Sequence, residues 1–312
     1  MRLSPPKRKL RIGLALGSGA ARGWSHVGII ESLVEAGIEA DIVCGTSIGA
    51  LVGAAYVTNR LKELREWAEA VSWGKIVRLL DVRLSGGGLI DGTQIVEFLT
   101  ALGVSGPIES YPKKYAAIAT DLVTGREIWL QTGPIDQAVR ASIALPGIFR
   151  PAKCDDRWLL DGGLVNPVPV STCRALGADI IIAVNLNGDL LGRRFVGRAR
   201  AGADEKTRIP KQALSQLLSQ MPDAIRQQIA LLAPKLLQQG PSTPGYFQVL
   251  ATSINIMQDH ITRTRLAGEP PHVVLVPRLR DIGLLEFNRA KEAIVEGRAC
   301  VKQALPILRE YL

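Results

Sequence analysis

Gly45-Thr46-Ser47-Ile48-Gly49 places a serine between two glycines, with a short apolar run before it and a small-residue apolar run after it. A G-x-S-x-G pentapeptide at a strand-to-helix turn is the pattern of a nucleophile elbow. Gly45 and Gly49 relieve crowding in so tight a turn. The Ser47 hydroxyl then stands at the N-terminus of the following helix, where aligned peptide dipoles favour an anion. The same two glycines would equally suit a helix packed closely on a strand, without any chemistry.

Upstream, Gly17-Ser18-Gly19-Ala20-Ala21-Arg22-Gly23 follows a second apolar run, Ile12–Leu16. Read as a dinucleotide loop, G-x-G-x-x-G, it has Arg22 where close helix packing requires glycine. Read as an oxyanion hole, its small residues let the amides of Ser18, Gly19 and Ala20 point at one spot, and one such donor is commonly worth about 10²–10³ in rate. Arg22 then either braces the loop, meets a lipid phosphate, or is a surface or packing arginine.

A serine nucleophile needs a proton acceptor. The three histidines are His26, His260 and His272. His26 sits four residues after Arg22, where loop orientation or simple packing are both open. His260 and His272 lie late in the chain, where a Ser…Asp…His order would place a triad histidine. Asp161 is the better candidate. It ends the apolar run Trp158-Leu159-Leu160 and precedes Gly162-Gly163, so a half-buried carboxylate could approach a second loop closely and gain basicity from burial. An ordinary Asp-Gly turn is the alternative.

Elements of the right kind surround these residues. Ile12–Leu16, 41–44, 115–120, 127–131, 158–160 and 180–185 read as short strands. Helices are expected over 24–35, 48–57, 60–71, 94–102 and 135–144. The alternation implies an α/β fold with a mostly parallel sheet flanked by helices. Residues 1–11 read as a basic tail rather than a leader, since the apolar run after them is short and ends in the glycine loop. Residues 12–190 form the expected catalytic domain. From 191 to 312 we expect a basic loop (193–211), helices over 212–239, a strand at 272–276 and a final helix from 288.

Of 312 residues, 47 % are hydrophobic and 21 % charged, which excludes wholesale disorder. Lys and Arg outnumber Asp and Glu by 38 to 29, a formal charge of +9, which invites an anionic partner. No nucleic-acid signature accompanies the charge, so nucleic acid is not expected as a partner; of the anionic partners a lipid surface is the better one, and an ordinary solvated surface accounts for the charge without any partner. The four cysteines are scattered, without metal-ligand spacing, which fits a reducing cytosol; no metal or other cofactor is expected.

In order along the chain, the glycine loop, the G-x-S-x-G turn and Asp161-Gly162-Gly163 resemble the patatin-like phospholipase family, and among it the bacterial members related to neuropathy target esterase. Arg22-Gly23-Trp24-Ser25-His26-Val27-Gly28, Ala141-Ser142, Leu145-Pro146-Gly147-Ile148-Phe149 and Asn166-Pro167-Val168-Pro169 extend the likeness over roughly residues 12–175. The resemblance implies a three-layer fold and a Ser47–Asp161 dyad without histidine. It implies oxyanion donors on the glycine loop, support from Arg22, Gly23 and Gly163, and hydrolysis of acyl esters of lipids or lysophospholipids. Ser18 and Ala20 interrupt what is often a run of glycines in that family, but both keep an amide. A conventional Ser–His–Asp hydrolase and a catalytically vestigial lipid-binding or regulatory module are the rivals. The expected setting is cytoplasmic; peripheral contact at an anionic membrane is the alternative that the charge leaves open.

Overall fold

The run Ile12–Leu16 forms β1, which pairs in parallel with β2 (Ile42–Thr46) on one side and β7 (Ile180–Val184) on the other. All three are nearly continuous apolar runs because helices cover both faces of the sheet. The protein is described here from a computed structural model, covering residues 9–71, 91–189 and 246–312. The basic stretch 193–211, the helices expected over 212–239 and the loop at 85–88 lie outside the described residues.

Among the described residues the sheet has eight strands, ordered β5-β6-β3-β2-β1-β7-β8, with β4 also on β3. The remaining strands are β3 (Lys114–Asp121), β4 (Glu127–Leu130), β5 (Ala152–Cys154), β6 (Arg157–Asp161) and β8 (Val273–Leu275). β2–β3 and β7–β8 are parallel; β3–β4, β3–β6 and β5–β6 are antiparallel.

Strand β3 organises the site. Its first part pairs with β2, ending at Thr46 opposite Ile118. Its last part pairs with β6, beginning at Asp161 opposite Ala119. Strand β4 pairs with β3 across both stretches. A strand has two edges, so β2 and β6 follow one another along the edge opposite β4. The turn that leaves β2 therefore meets the end of β6.

Helices cover the two faces of the sheet. One layer comprises α1 (Ser25–Glu35), α2 (Ile48–Val57), α3 (Leu61–Ala70), α4 (Thr93–Leu102), α5 (Ile135–Ser142) and the C-terminal α8 (Ala290–Tyr311). Their apolar faces pack on Leu14, Leu16, Val43, Tyr115, Ile182 and Val184. The opposite face, with Ala15, Ile42, Cys44, Ala116 and Ile181, is covered by α6 (Val170–Ala175) and by Leu266 of α7 (Tyr246–Gly268). This is the expected three-layer α/β arrangement with a helix at the C-terminus. β8 extends the sheet beyond β7, and α8 lies directly on α1. A Cβ on Gly28 would come 2.0 Å from the Ile294 carbonyl, so the α1 and α8 backbones touch there. Strand β5 and helix α6 are additions to the elements read from the sequence, and a 3-10 turn, Ala20–Trp24, precedes α1. Among the described residues no helix is long and apolar enough to cross a membrane.

Candidate active site

Ser47 leaves β2 with φ 57° and ψ −123°, a conformation that a non-glycine residue adopts only under constraint. The constraint is local packing. A Cβ on Gly49 would lie 2.2 Å from the Leu16 carbonyl oxygen, and one on Gly45 2.4 Å from the Gly49 carbonyl oxygen. Only glycine lets the elbow press this closely on the end of β1 and on itself. Gly23 likewise admits Ile48, whose side chain would meet a Cβ there at 2.2 Å. The Ser47 amide donates to Ser142 Oγ at 2.9 Å, and Ser142 Oγ donates to the Ile118 carbonyl at 2.6 Å. Helix α5 thus pins the elbow to β3.

Ser47 Oγ donates to Asp161 Oδ2 at 2.6 Å. The other carboxylate oxygen, Oδ1, accepts the Gly163 amide at 2.7 Å. The backbone of Asp161 is fixed on both sides: its amide donates to the Ala144 carbonyl at 2.9 Å, and its carbonyl accepts from Thr120 Oγ1 at 2.8 Å. Asp161 is 1 % exposed. Burial raises its carboxyl from 3.8 to about 6, against the opposing effects of the Ser47 and Gly163 hydrogen bonds. It is therefore ionised at neutral pH yet more basic than an ordinary aspartate.

The three histidines lie elsewhere. His26 is fully buried, and its Nε2 sits 2.8 Å from the Gly17 carbonyl. A carbonyl only accepts, so Nε2 carries the proton and Nδ1 is bare; Nδ1 is buried without a partner among the described residues. Burial lowers the imidazole to about 4, more than the Gly17 bond raises it, so the ring is neutral. His272 Nδ1 accepts the Ile181 amide at 3.0 Å, and its ring stacks edge-on against Tyr311. His260 is exposed on α7. None of the three bonds to Ser47 or Asp161.

The glycine loop crosses the end of β1 beside the elbow. The Gly17 amide donates to the Val184 carbonyl at 3.1 Å and the Ser18 amide to the Pro167 carbonyl at 2.9 Å. Ser18, expected among the oxyanion donors, has its only amide proton engaged by that carbonyl. The amides of Gly19 and Ala20 have no acceptor among the described residues. The Gly19 carbonyl accepts from the Arg22 amide at 3.2 Å and from Arg22 Nε at 3.3 Å. The N–H and C=O of one trans peptide point in opposite directions, so this pair turns the Ala20 amide away from Arg22. Ala20 itself has φ 49°. Arg22 is buried and donates to Asn255 Oδ1 of α7 at 3.1 Å, so it braces the loop.

Helix α7 contributes two residues that apolar periodicity does not reveal. Gln258 Oε1 accepts from Ser18 Oγ at 3.0 Å and from Asn187 Nδ2 at 3.3 Å, and Asn255 holds Arg22. Gly163 makes room for this contact: a Cβ there would fall 2.4 Å from Gln258 Nε2 and 3.0 Å from Asp161 Oδ1. Ser142 is marked in the sequence only by the Ala141-Ser142 motif. The structure thus brings the Ser47–Asp161–Gly163 hydrogen-bond chain to the C-terminal ends of the central strands, where the glycine loop also leaves β1.

Comparison with known proteins places the chain in a family. The sequence profile of patatin-like phospholipases matches residues 14–174. An uncharacterized NTE family protein of Mycobacterium tuberculosis is 34 % identical over 331 aligned positions, covering 95 % of this chain and 91 % of that one. A patatin-like phospholipase domain-containing protein of Caenorhabditis elegans is 38 % identical over 183 positions, 56 % of this chain but 13 % of that protein. The crystal structure of VipD from Legionella pneumophila aligns with a TM-score of 0.46 at 12 % identity, over 96 % of this chain and 67 % of VipD. The chain belongs to the patatin-like phospholipase family, whose members are lipid acyl hydrolases.

Proposed function

We propose that the protein is a serine esterase that hydrolyses acyl esters of phospholipids or lysophospholipids through a Ser47–Asp161 dyad. The observation that carries this reading is the 2.6 Å hydrogen bond from Ser47 Oγ to a buried carboxylate whose basicity is raised by burial. Asp161 Oδ2 takes the hydroxyl proton as Ser47 Oγ attacks the ester carbonyl carbon. Negative charge develops on the carbonyl oxygen, and the Gly19 and Ala20 amides, together with the start of α2, stabilise it. Collapse of the tetrahedral intermediate breaks the ester C–O bond. The leaving alcohol takes the proton back from Asp161, and the acyl group stays on Ser47. Water then attacks the acyl-enzyme, again losing its proton to Asp161, and the fatty acid leaves as the proton returns to Ser47.

The test is covalent labelling by a fluorophosphonate probe, followed by fatty-acid release from phosphatidylcholine and lysophosphatidylcholine. Wild-type protein should label and release fatty acid. Ser47→Ala and Asp161→Asn should do neither. Folded wild-type protein that takes no label would refute the reading and favour a vestigial lipid-binding module.

A further inference from the structure

A lipid ester in a membrane or micelle must reach Ser47 from an aggregate, so the end of the sheet that carries the site has to face that aggregate. Strand β3 runs parallel to β1 and β2, so all three have their C-terminal ends on that side. The turn between β3 and β4 therefore projects from the same side as the elbow. Turn tips are ordinarily polar. This one carries Leu122 and Val123, which are 47 % and 85 % exposed. The turn is also rigid: Asp121 Oδ1 accepts the Val123 and Thr124 amides at 3.0 and 2.8 Å, and the Gly125 amide donates to the Asp121 carbonyl at 2.9 Å.

The apolar surface continues onto β6. The Leu122 amide donates to the Trp158 carbonyl at 2.8 Å, which extends the β3–β6 register by one pair beyond Asp121 and Leu159. Residues directly opposite in an antiparallel pair share a face, so Leu122 and Trp158 are side-chain neighbours. Trp158 is 49 % exposed, and on its other side it faces Lys153 of β5. The Leu122–Trp158 pair lies three residues beyond the Ala119–Asp161 pair, which is about 10 Å farther out along the strands. Arg126, Arg157 and Lys153 are exposed around these apolar groups. Exposed Asp155 and Asp156 occupy the β5–β6 turn, while the Asp121 carboxylate is engaged by its own turn.

We propose that Leu122, Val123 and Trp158 form a docking tip that enters a lipid surface at headgroup depth and brings the Ser47 end of the sheet onto it. A half-exposed indole beside aliphatic side chains, with cationic side chains around them, matches the apolar-inside, charged-outside order of a bilayer interface. The proposal rests on the lipid-ester reading above, but the two fail separately.

The experiment compares wild type with Val123→Asp and Val123→Asp/Trp158→Ala by flotation on vesicles of phosphatidylcholine and phosphatidylglycerol. Hydrolysis of vesicle phospholipid and of dissolved p-nitrophenyl butyrate is measured in parallel. The exposed positions keep the variants folded, which thermal unfolding checks. Vesicle binding and vesicle hydrolysis should fall about tenfold or more in the double variant, with soluble-ester hydrolysis unchanged. Wild type that does not bind vesicles, or variants that bind equally, would overturn the docking tip even if the soluble ester is cleaved. Tip-dependent binding by a protein that cleaves no ester would sustain the tip and sink the esterase reading.

Discussion

Replacing Asp161 by asparagine should destroy activity and stabilise the fold, and the stabilisation should depend on pH in a defined direction. Burial holds the carboxyl at about 6 rather than 3.8, a difference worth about 3 kcal/mol. A folded-state pKa above the unfolded one means that the native protein binds more protons than the unfolded chain between about pH 4 and pH 6. Wild-type stability therefore falls with rising pH across that window, by about 3 kcal/mol in all, and is flat in this contribution on either side. The neutral amide of the Asp161→Asn variant would carry no such cost. Its oxygen can accept the Gly163 amide and its NH₂ group can donate to Ser47 Oγ, so the geometry is kept. At about pH 4 the two proteins should melt together; by pH 8 the variant should melt about 6 °C higher, taking about 2 °C per kcal/mol for a chain this long. Calorimetry across that range reads the gap directly. A gap that stays constant with pH, or a wild type that is the more stable at pH 8, would refute the claim that Asp161 is held ionised against its environment. The same group predicts that wild-type kcat/KM rises through about pH 6, because only the carboxylate takes the serine proton.

Gly19→Ala places a Cβ 2.7 Å from Leu186 Cδ1 and should push the loop's free amides off target. We expect kcat to fall about 10²-fold with KM little changed, measured on a soluble ester. Ser142→Ala removes the acceptor of the Ser47 amide and should cost ~1–3 kcal/mol in thermal unfolding, with a parallel loss of kcat as the elbow loosens. The His260→Ala/His272→Ala double variant should keep its fluorophosphonate labelling. A Ser–His–Asp triad would instead lose ~10³-fold or more in rate.

The elbow is legible in the sequence because its signal is local: two glycines, a serine, and apolar runs of the right length on either side. Strands β1, β2 and β7 are legible for a related reason, since strands buried on both faces need no alternation to be recognised. Asp161 is legible as a candidate, not as a partner of Ser47. What joins them is the register of β3, on whose one edge Thr46 and Asp161 occupy adjacent places. Register is a long-range property, and no spacing between positions 47 and 161 encodes it. The Ser18 amide shows the same limit at the scale of one hydrogen bond. Three consecutive amides look alike in the glycine loop, yet the Pro167 carbonyl, far along the chain, engages one of them.

Helix α7 marks a different limit. A helix that packs on a core normally announces itself by an apolar stripe at a period of 3.6 residues. The inward face of α7 carries Asn255, Gln258, Asp259 and Thr262, with Ile254 and Leu266 as its apolar contacts. Its inward residues therefore look like solvent-facing ones when only the sequence is read. Two of them, Asn255 and Gln258, are inward where they satisfy polar side chains of the glycine loop. Buried polar side chains of the glycine loop need partners, and Gln258 and Asn255 supply them for Ser18 and Arg22. The polar face of α7 places determinants of the glycine loop's geometry more than 230 residues away from it in the chain.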